Sequence, residues 1–159
     1  QDAVATPRPT ATPASAPVKT SAPSTGDDYT TPSSQVQEEI LLNLLNQERI
    51  AQGLSPLTLD AELSRIARIK SADMRDNHYF AHESPTYGHV SDMLKTFGYS
   101  FSGAGENIAH HATTEKAHAA FMSSDGHRRN ILSSAWQNVG LGIVYDANGY
   151  VYVTQIFVR

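Results

Sequence analysis

The chain contains no cysteine. That absence removes disulfides, thiolate metal sites, iron–sulfur clusters and cysteine nucleophiles together. It leaves the compartment open, because a domain of ordinary size holds its core without staples. A basic surplus is missing as well: 12 Lys and Arg stand against 16 Asp and Glu, a formal net charge of −4. Nonspecific nucleic-acid binding needs a basic surface that displaces counterions, so no nucleic-acid partner is expected. No apolar run approaches the roughly 20 residues that cross a bilayer, so no transmembrane segment is expected. The sequence opens at Gln1 without a basic-then-apolar leader, and a signal peptide is expected to have been removed or never included.

What is present falls into two parts. Across residues 1–34, Thr, Ser, Ala and Pro fill 24 of the 34 positions, and Leu, Ile, Phe, Met and Trp do not occur. With Pro7, Pro9, Pro13, Pro17, Pro23 and Pro32, this stretch reads as neither helix nor core. It is expected to be a disordered, partly extended linker, or a surface stalk open to O-glycosylation, and both suit an exported protein. Residues 35–159 form the folded unit, with 10 basic and 13 acidic side chains, and are read as a monomer.

Within that unit, Ser34 and Gln37 have the form of a capping box ahead of Val36, Ile40, Leu41, Leu44 and Leu45 at helical spacing, and Gly53 sits where the helix should stop. A second helix is expected from about Leu59 to His78. Its stripe is Leu63, Ile66, Ala67 and Met74, with Arg65, Arg68, Lys70 and Asp73 lying elsewhere. A short helix over Ser91–Phe97 stops at Gly98, and Thr114 is the expected N-cap of a helix reaching about Ser123. The C-terminus reads as a hairpin turning at Asp146–Gly149. Its return strand, Tyr150–Val158, is apolar on both faces, so helices are expected on both sides of a small antiparallel sheet. Gly140 and Gly142 share one face and would let a helix come close. The fold class is therefore α+β, a three-layer α-β-α sandwich.

Three polar residues stand out by context. His82 lies in Phe80-Ala81-His82-Glu83, Glu106 in Gly105-Glu106-Asn107-Ile108, and His127 in Asp125-Gly126-His127-Arg128. Two imidazoles and a carboxylate suit either a zinc-like ion or proton transfer near neutral pH. Their separations match no local ligand motif, so convergence depends on the fold, and hydrogen-bonded structural roles stay open. Gly103-Ala104-Gly105 is read as a turn, His110-His111 as surface, and His118 as packed or exposed. Arg128-Arg129 is too short for a basic patch and is expected at a helix end or on a carboxylate. Phe121 and Trp136 are expected in the core.

At these residues the sequence resembles the CAP superfamily of cysteine-rich secretory, antigen 5 and pathogenesis-related proteins, in its bacterial SCP-like form. The resemblance is carried in order by Asn46-Gln47-Glu48-Arg49 with Gly53-Leu54-Ser55-Pro56-Leu57, Ala72-Asp73-Met74 leading to Tyr79-Phe80-Ala81-His82, and Gly105-Glu106-Asn107-Ile108-Ala109. Ser124 through Leu132 and Val139-Gly140-Leu141-Gly142-Ile143 complete it. It implies an α-β-α sandwich, export to the extracellular space or cell surface, and a shallow cleft lined by two histidines and two acids. His82 and His127 match the histidines and Glu106 the first acid. The second acid's position falls on Ser124, with Asp125 one residue off. The disulfides of eukaryotic relatives are absent, as in a bacterial protein.

Fold does not settle function. One reading is a binding module, with a divalent metal such as zinc between His82 and His127 and a small apolar, cell-wall or protein ligand. Another is a metal-assisted hydrolase with Glu106 as base. A third makes the cleft structural, with Glu106 accepting hydrogen bonds from both imidazoles.

Overall fold

The computed structural model describes residues 29–159, so the linker expected over residues 1–34 lies outside it apart from its last few positions. Helix α1 spans Pro32–Ala51. Its N-cap is Thr31, which exchanges hydrogen bonds with Ser34: the Ser34 amide reaches the threonine hydroxyl at 3.0 Å and the Thr31 amide reaches the serine hydroxyl at 2.9 Å. Ser34 is therefore the third residue of the helix, not its cap. Pro32 sits in the first turn, where its missing N–H costs nothing. Gly53, at φ +76°, ends the helix in the left-handed region as expected.

The chain continues through β1 (Thr58–Leu59), α2 (Ala61–Asp76), α3 (Val90–Thr96), β2 (Ala104–His111), α4 (Thr114–Ser123), α5 (Asp125–Ile131), β3 (Asn138–Tyr145) and β4 (Val151–Val158). The sheet order is β1-β3-β4-β2. The three long strands are antiparallel, with Gly142 opposite Thr154 and Glu106 opposite Ile156, while the two residues of β1 pair parallel to β3. The segment from Gly103 is not a turn, because Ala104 and Gly105 open strand β2. The cap of α4 shifts by one residue, to Thr113, and α2 is capped by Asp60.

Both faces of the sheet are covered, as the doubly apolar β4 demands. Val151, Val153 and Phe157 with Val139, Leu141 and Ile143 pack against Leu41 and Leu45 of α1, Ala117 and Phe121 of α4 and Ile131 of α5. On the other face, Ile156 and Val158 meet Leu63, Ile66, Ala67 and Ile69 of α2 and Met93 and Leu94 of α3. Each such buried Val, Leu, Ile, Phe or Met side chain contributes about 1.5–3 kcal/mol. Helix α2 lies directly on β3. A Cβ at Gly140 would fall 2.4 Å from the Leu63 backbone, and one at Gly142 would fall 2.1 Å from the Arg68 nitrogen.

Among the described residues, no strand pairs with the outer edge of β3 beyond β1, and side chains take its donors instead. The Leu141 amide donates to the Ser64 hydroxyl at 3.2 Å, and the Ile143 amide donates to Glu38 Oε2 at 3.1 Å. The other Glu38 oxygen accepts from Arg68 Nη1 at 2.7 Å, and both residues are buried. An unpaired edge is thereby closed to strand addition.

Candidate functional site

Glu106 stands on β2, on the face that carries α2, because it pairs across the sheet with Ile156. His82 is brought to it by the loop that follows α2. Its Nδ1 lies 2.9 Å from Glu106 Oε1, with the histidine side chain 56% exposed and the glutamate side chain 3% exposed. A carboxylate only accepts, so Nδ1 carries the proton and, in the neutral ring, Nε2 keeps its lone pair. The second carboxylate oxygen, Glu106 Oε2, is buried and has no hydrogen-bond partner. A buried acceptor left unmatched is costly, and it asks for a donor or a cation.

The loop is held by two groups of α2. Buried Lys70 donates from Nζ to the carbonyls of Ala81 at 2.9 Å and His82 at 2.8 Å, and lies over the Tyr79 ring at 5.3 Å. Burial lowers the pKa of its ammonium, while the nearby carboxylates of Glu106 and Asp73 oppose that shift. Asp73 gathers the rest of the loop. It accepts from the Tyr79 hydroxyl, from Ser84 Oγ at 2.7 Å and from Asn77 Nδ2 at 2.7 Å. Burial and the Asp73 charge together raise the Tyr79 phenol far above its ordinary range, so it stays a donor.

His127 comes from the other layer, on α5. Its Nδ1 lies 2.9 Å from Ser124 Oγ, and its ring tilts against Phe121 at 5.3 Å. Burial lowers its pKa first, and the charge of neighbouring His82 lowers it further. Asn107, fully buried beside Glu106, donates to the His127 carbonyl at 3.1 Å and to Gln155 Oε1 at 3.0 Å. Asn130 closes the link, donating to Asn107 Oδ1 at 3.0 Å and to the Glu106 carbonyl at 3.3 Å. Its own carbonyl accepts from the Trp136 indole at 2.9 Å.

The structure thus pairs His82 with Glu106 and places His127 close enough to feel the charge of His82. Glu106 holds one imidazole, not two, since the His127 Nδ1 goes to Ser124. Ser124 occupies the position where the resemblance expects an acid, and it orients the histidine without charge. Asp125 points to solvent, with its side chain 82% exposed and paired to Arg128 at 3.2 Å. Among the described residues, no group of three or more His, Asp or Glu side chains is arranged to hold a metal ion.

Lys70, Asp73, Asn107 and Asn130 are the residues that sequence reasoning assigned no part in the site. Lys70 does not lie off the α2 stripe. It falls four residues past Ile66, three past Ala67 and four before Met74, and a lysine at an apolar position is a visible signal of a buried cation. The other imidazoles serve elsewhere. His118 is buried with Nε2 2.9 Å from Glu48 Oε2, and His110 Nε2 lies 2.8 Å from Asp146 Oδ2.

Residues 42–157 match the family model described as CAP, the cysteine-rich secretory protein family. Over 137 residues the chain is 45% identical to the uncharacterized protein YkwD of Bacillus subtilis (strain 168), a match covering 86% of this chain and 49% of that protein. The uncharacterized membrane protein YlbC of the same organism is 35% identical over 123 residues, 77% of this chain and 34% of its own length. The chain therefore spans about half of one curated relative and a third of the other. An extracellular protein containing a SCP domain, from Bacillus anthracis str. Ames, superposes with a TM-score of 0.72 at 34% identity, covering 82% of this chain and 44% of that one. An outer surface protein from Borrelia burgdorferi reaches 0.73 at 15% identity over 79% of this chain and 93% of its own, a likeness of fold alone.

Proposed function

The chain belongs to the cysteine-rich secretory protein (CAP) family as a bacterial member, and from that premise we propose that it acts outside the cell as a binding module. Its His82–Glu106–His127 cleft captures a ligand, with a divalent cation such as zinc as part of the recognition. The observation that carries this reading is Glu106: a carboxylate 3% exposed, with one oxygen on an exposed imidazole and the other unmatched. A buried acceptor left unmatched calls for an explanation, and a bound donor or cation beside it supplies one.

The donor set fits a cation. A carboxylate on Nδ1 fixes the His82 tautomer and presents Nε2, the outer-shell pattern that supports metal-bound histidines. Ser124 accepts from the His127 Nδ1 in the tautomer that presents the second Nε2, and the lowered pKa of that ring keeps it neutral at physiological pH. The ion would supply a positive centre with open positions for groups of the ligand. Two protein nitrogens are fewer than the three usual for catalytic zinc, and Glu106, the base a hydrolase reading requires, is engaged with His82. Both points favour capture over turnover. The ligand classes that suit such a cleft remain a small apolar molecule, a cell-wall component or a protein.

Calorimetric titration of the full chain with zinc near neutral pH tests the proposal. The expected result is one-to-one binding that His82→Ala and His127→Ala each abolish while circular dichroism shows them folded, and that Glu106→Gln weakens by about 10- to 100-fold. No binding to the parent chain, or binding indifferent to both histidines, overturns it.

A further inference from the structure

An open depression of about 520 Å³ is lined by Asp125, Arg128, Arg129, Leu132, Ser133 and Ser134. It shares no residue with the His82–Glu106–His127 cleft. Positions 125, 128, 129 and 132 follow one stripe along α5 and its C-cap, and the consecutive Arg128 and Arg129 both line the hollow. Both arginines are exposed. Among the described residues Arg128 is paired only with exposed Asp125, a contact of little energetic weight. Among the described residues the Arg129 guanidinium has no hydrogen-bond or ion-pair partner. Positive charge gathered in one hollow is notable in a folded unit where acids outnumber bases by 13 to 10.

The backbone beside the hollow is held from within the core. Fully buried Arg49 donates from Nη1 to the carbonyls of Ile131 and Ser133, both at 2.7 Å. The Ser133 hydroxyl accepts from the Ala135 amide at 3.1 Å, which leaves its own proton to give. The volume lies within the range of about 300–1,000 Å³ typical of small-molecule sites, more room than a lone oxyanion needs. Guanidinium forks match carboxylate or phosphate oxygens. Two serine hydroxyls and the Asp125 carboxylate, all from lining residues, suit the hydroxyl groups of a polyol.

We propose that this depression is a second binding site, for an acidic sugar. Arg129 and Arg128 take the phosphate or carboxylate, while Ser133, Ser134 and Asp125 take the sugar hydroxyls. The site stands apart from the reading of the histidine cleft and survives its failure.

Amide NMR titration of the full chain with glucose 6-phosphate, glucuronate, glucose and inorganic phosphate tests it. An acidic sugar should saturate, with shifts concentrated at residues 125–134, and whichever of the two does so identifies the oxyanion. Arg129→Ala should weaken that binding roughly tenfold or more, the scale of losing a charge-assisted hydrogen bond. His82→Ala should leave it unchanged, and added salt should weaken it. The proposal is overturned by the absence of saturation with either acidic sugar, or by binding that Arg129→Ala does not alter. It is equally overturned if inorganic phosphate binds as well as the sugars do, which marks an adventitious ion only.

Discussion

Replacing Lys70 by Met keeps the unbranched hydrocarbon in place and deletes only the ammonium. Two hydrogen bonds are lost, to the Ala81 carbonyl at 2.9 Å and the His82 carbonyl at 2.8 Å. Bonds from a charged group contribute about 1.5–3 kcal/mol each, for a gross loss of about 3–6 kcal/mol. Two effects reduce it. The variant no longer buries a charge, the same burial that lowers the Lys70 pKa. Ala81 and His82 are themselves exposed, so their carbonyls regain water. The expected net destabilisation is about 2 kcal/mol, a fall in Tm of roughly 6–10 °C for a domain of this size. Thermal unfolding followed by circular dichroism reads that number. A second measurement separates positioning from mere stability: the His82 ring signals in an NMR pH titration should move and broaden while those of His118 stay fixed. A loss below about 0.5 kcal/mol with unmoved His82 signals refutes the view that Lys70 holds the histidine loop.

Two other perturbations follow from the buried charges. Burial pushes the Glu38 carboxyl up from 4.5 to about 7, against the pull of Arg68 and the Ile143 amide. A raised folded-state pKa stabilises fully below the unfolded value and is lost as pH rises through about 7. Between about pH 4.5 and pH 8 the parent chain should therefore lose about 3 kcal/mol relative to Glu38→Gln in urea unfolding, and parallel profiles would count against this. Ser124→Asp places a carboxylate beside the His127 Nδ1, now served by a neutral hydroxyl at 2.9 Å. The NMR titration midpoint of His127 should rise, and an unchanged midpoint would mean that residue 124 does not orient the ring.

The layered architecture was legible because β4 is apolar on both faces, and the close helix because Gly140 and Gly142 share one. Strand β2 was hidden. Its central residues, Glu106 and Asn107, are polar and buried, so the alternation that marks a strand is broken where the site is built. Helix α5 was hidden by its brevity, since Ile131 is its one buried residue and a single anchor gives no period. The two histidines and the acid were legible as local oddities, and the family resemblance set them in one cleft. Their partners were not, because Lys70, Asn107 and Asn130 act through backbone carbonyls that no side-chain pattern reports. The start of α1 was misplaced because Ser34 and Gln37 match the usual Ser/Thr-x-x-Glu/Gln pattern, whereas the observed box closes with a serine, Ser34, at the third position, and Pro32 in the first turn was the signal for the earlier start.

The two glycines under α2 have a consequence for how the domain comes apart. A helix cushioned by long side chains can lift by degrees, exchanging some contacts before others. With helix backbone resting on strand backbone at Gly140 and Gly142, little compliant material lies between them to stretch, and a small separation forfeits the dispersion contacts together. Helix α2, β3 and β4 are then one cooperative unit, opening to solvent in a single event. The histidine loop emerges from that helix and Glu106 stands on the strand beside β4, so opening of that unit carries apart the two elements that bring His82 and Glu106 together.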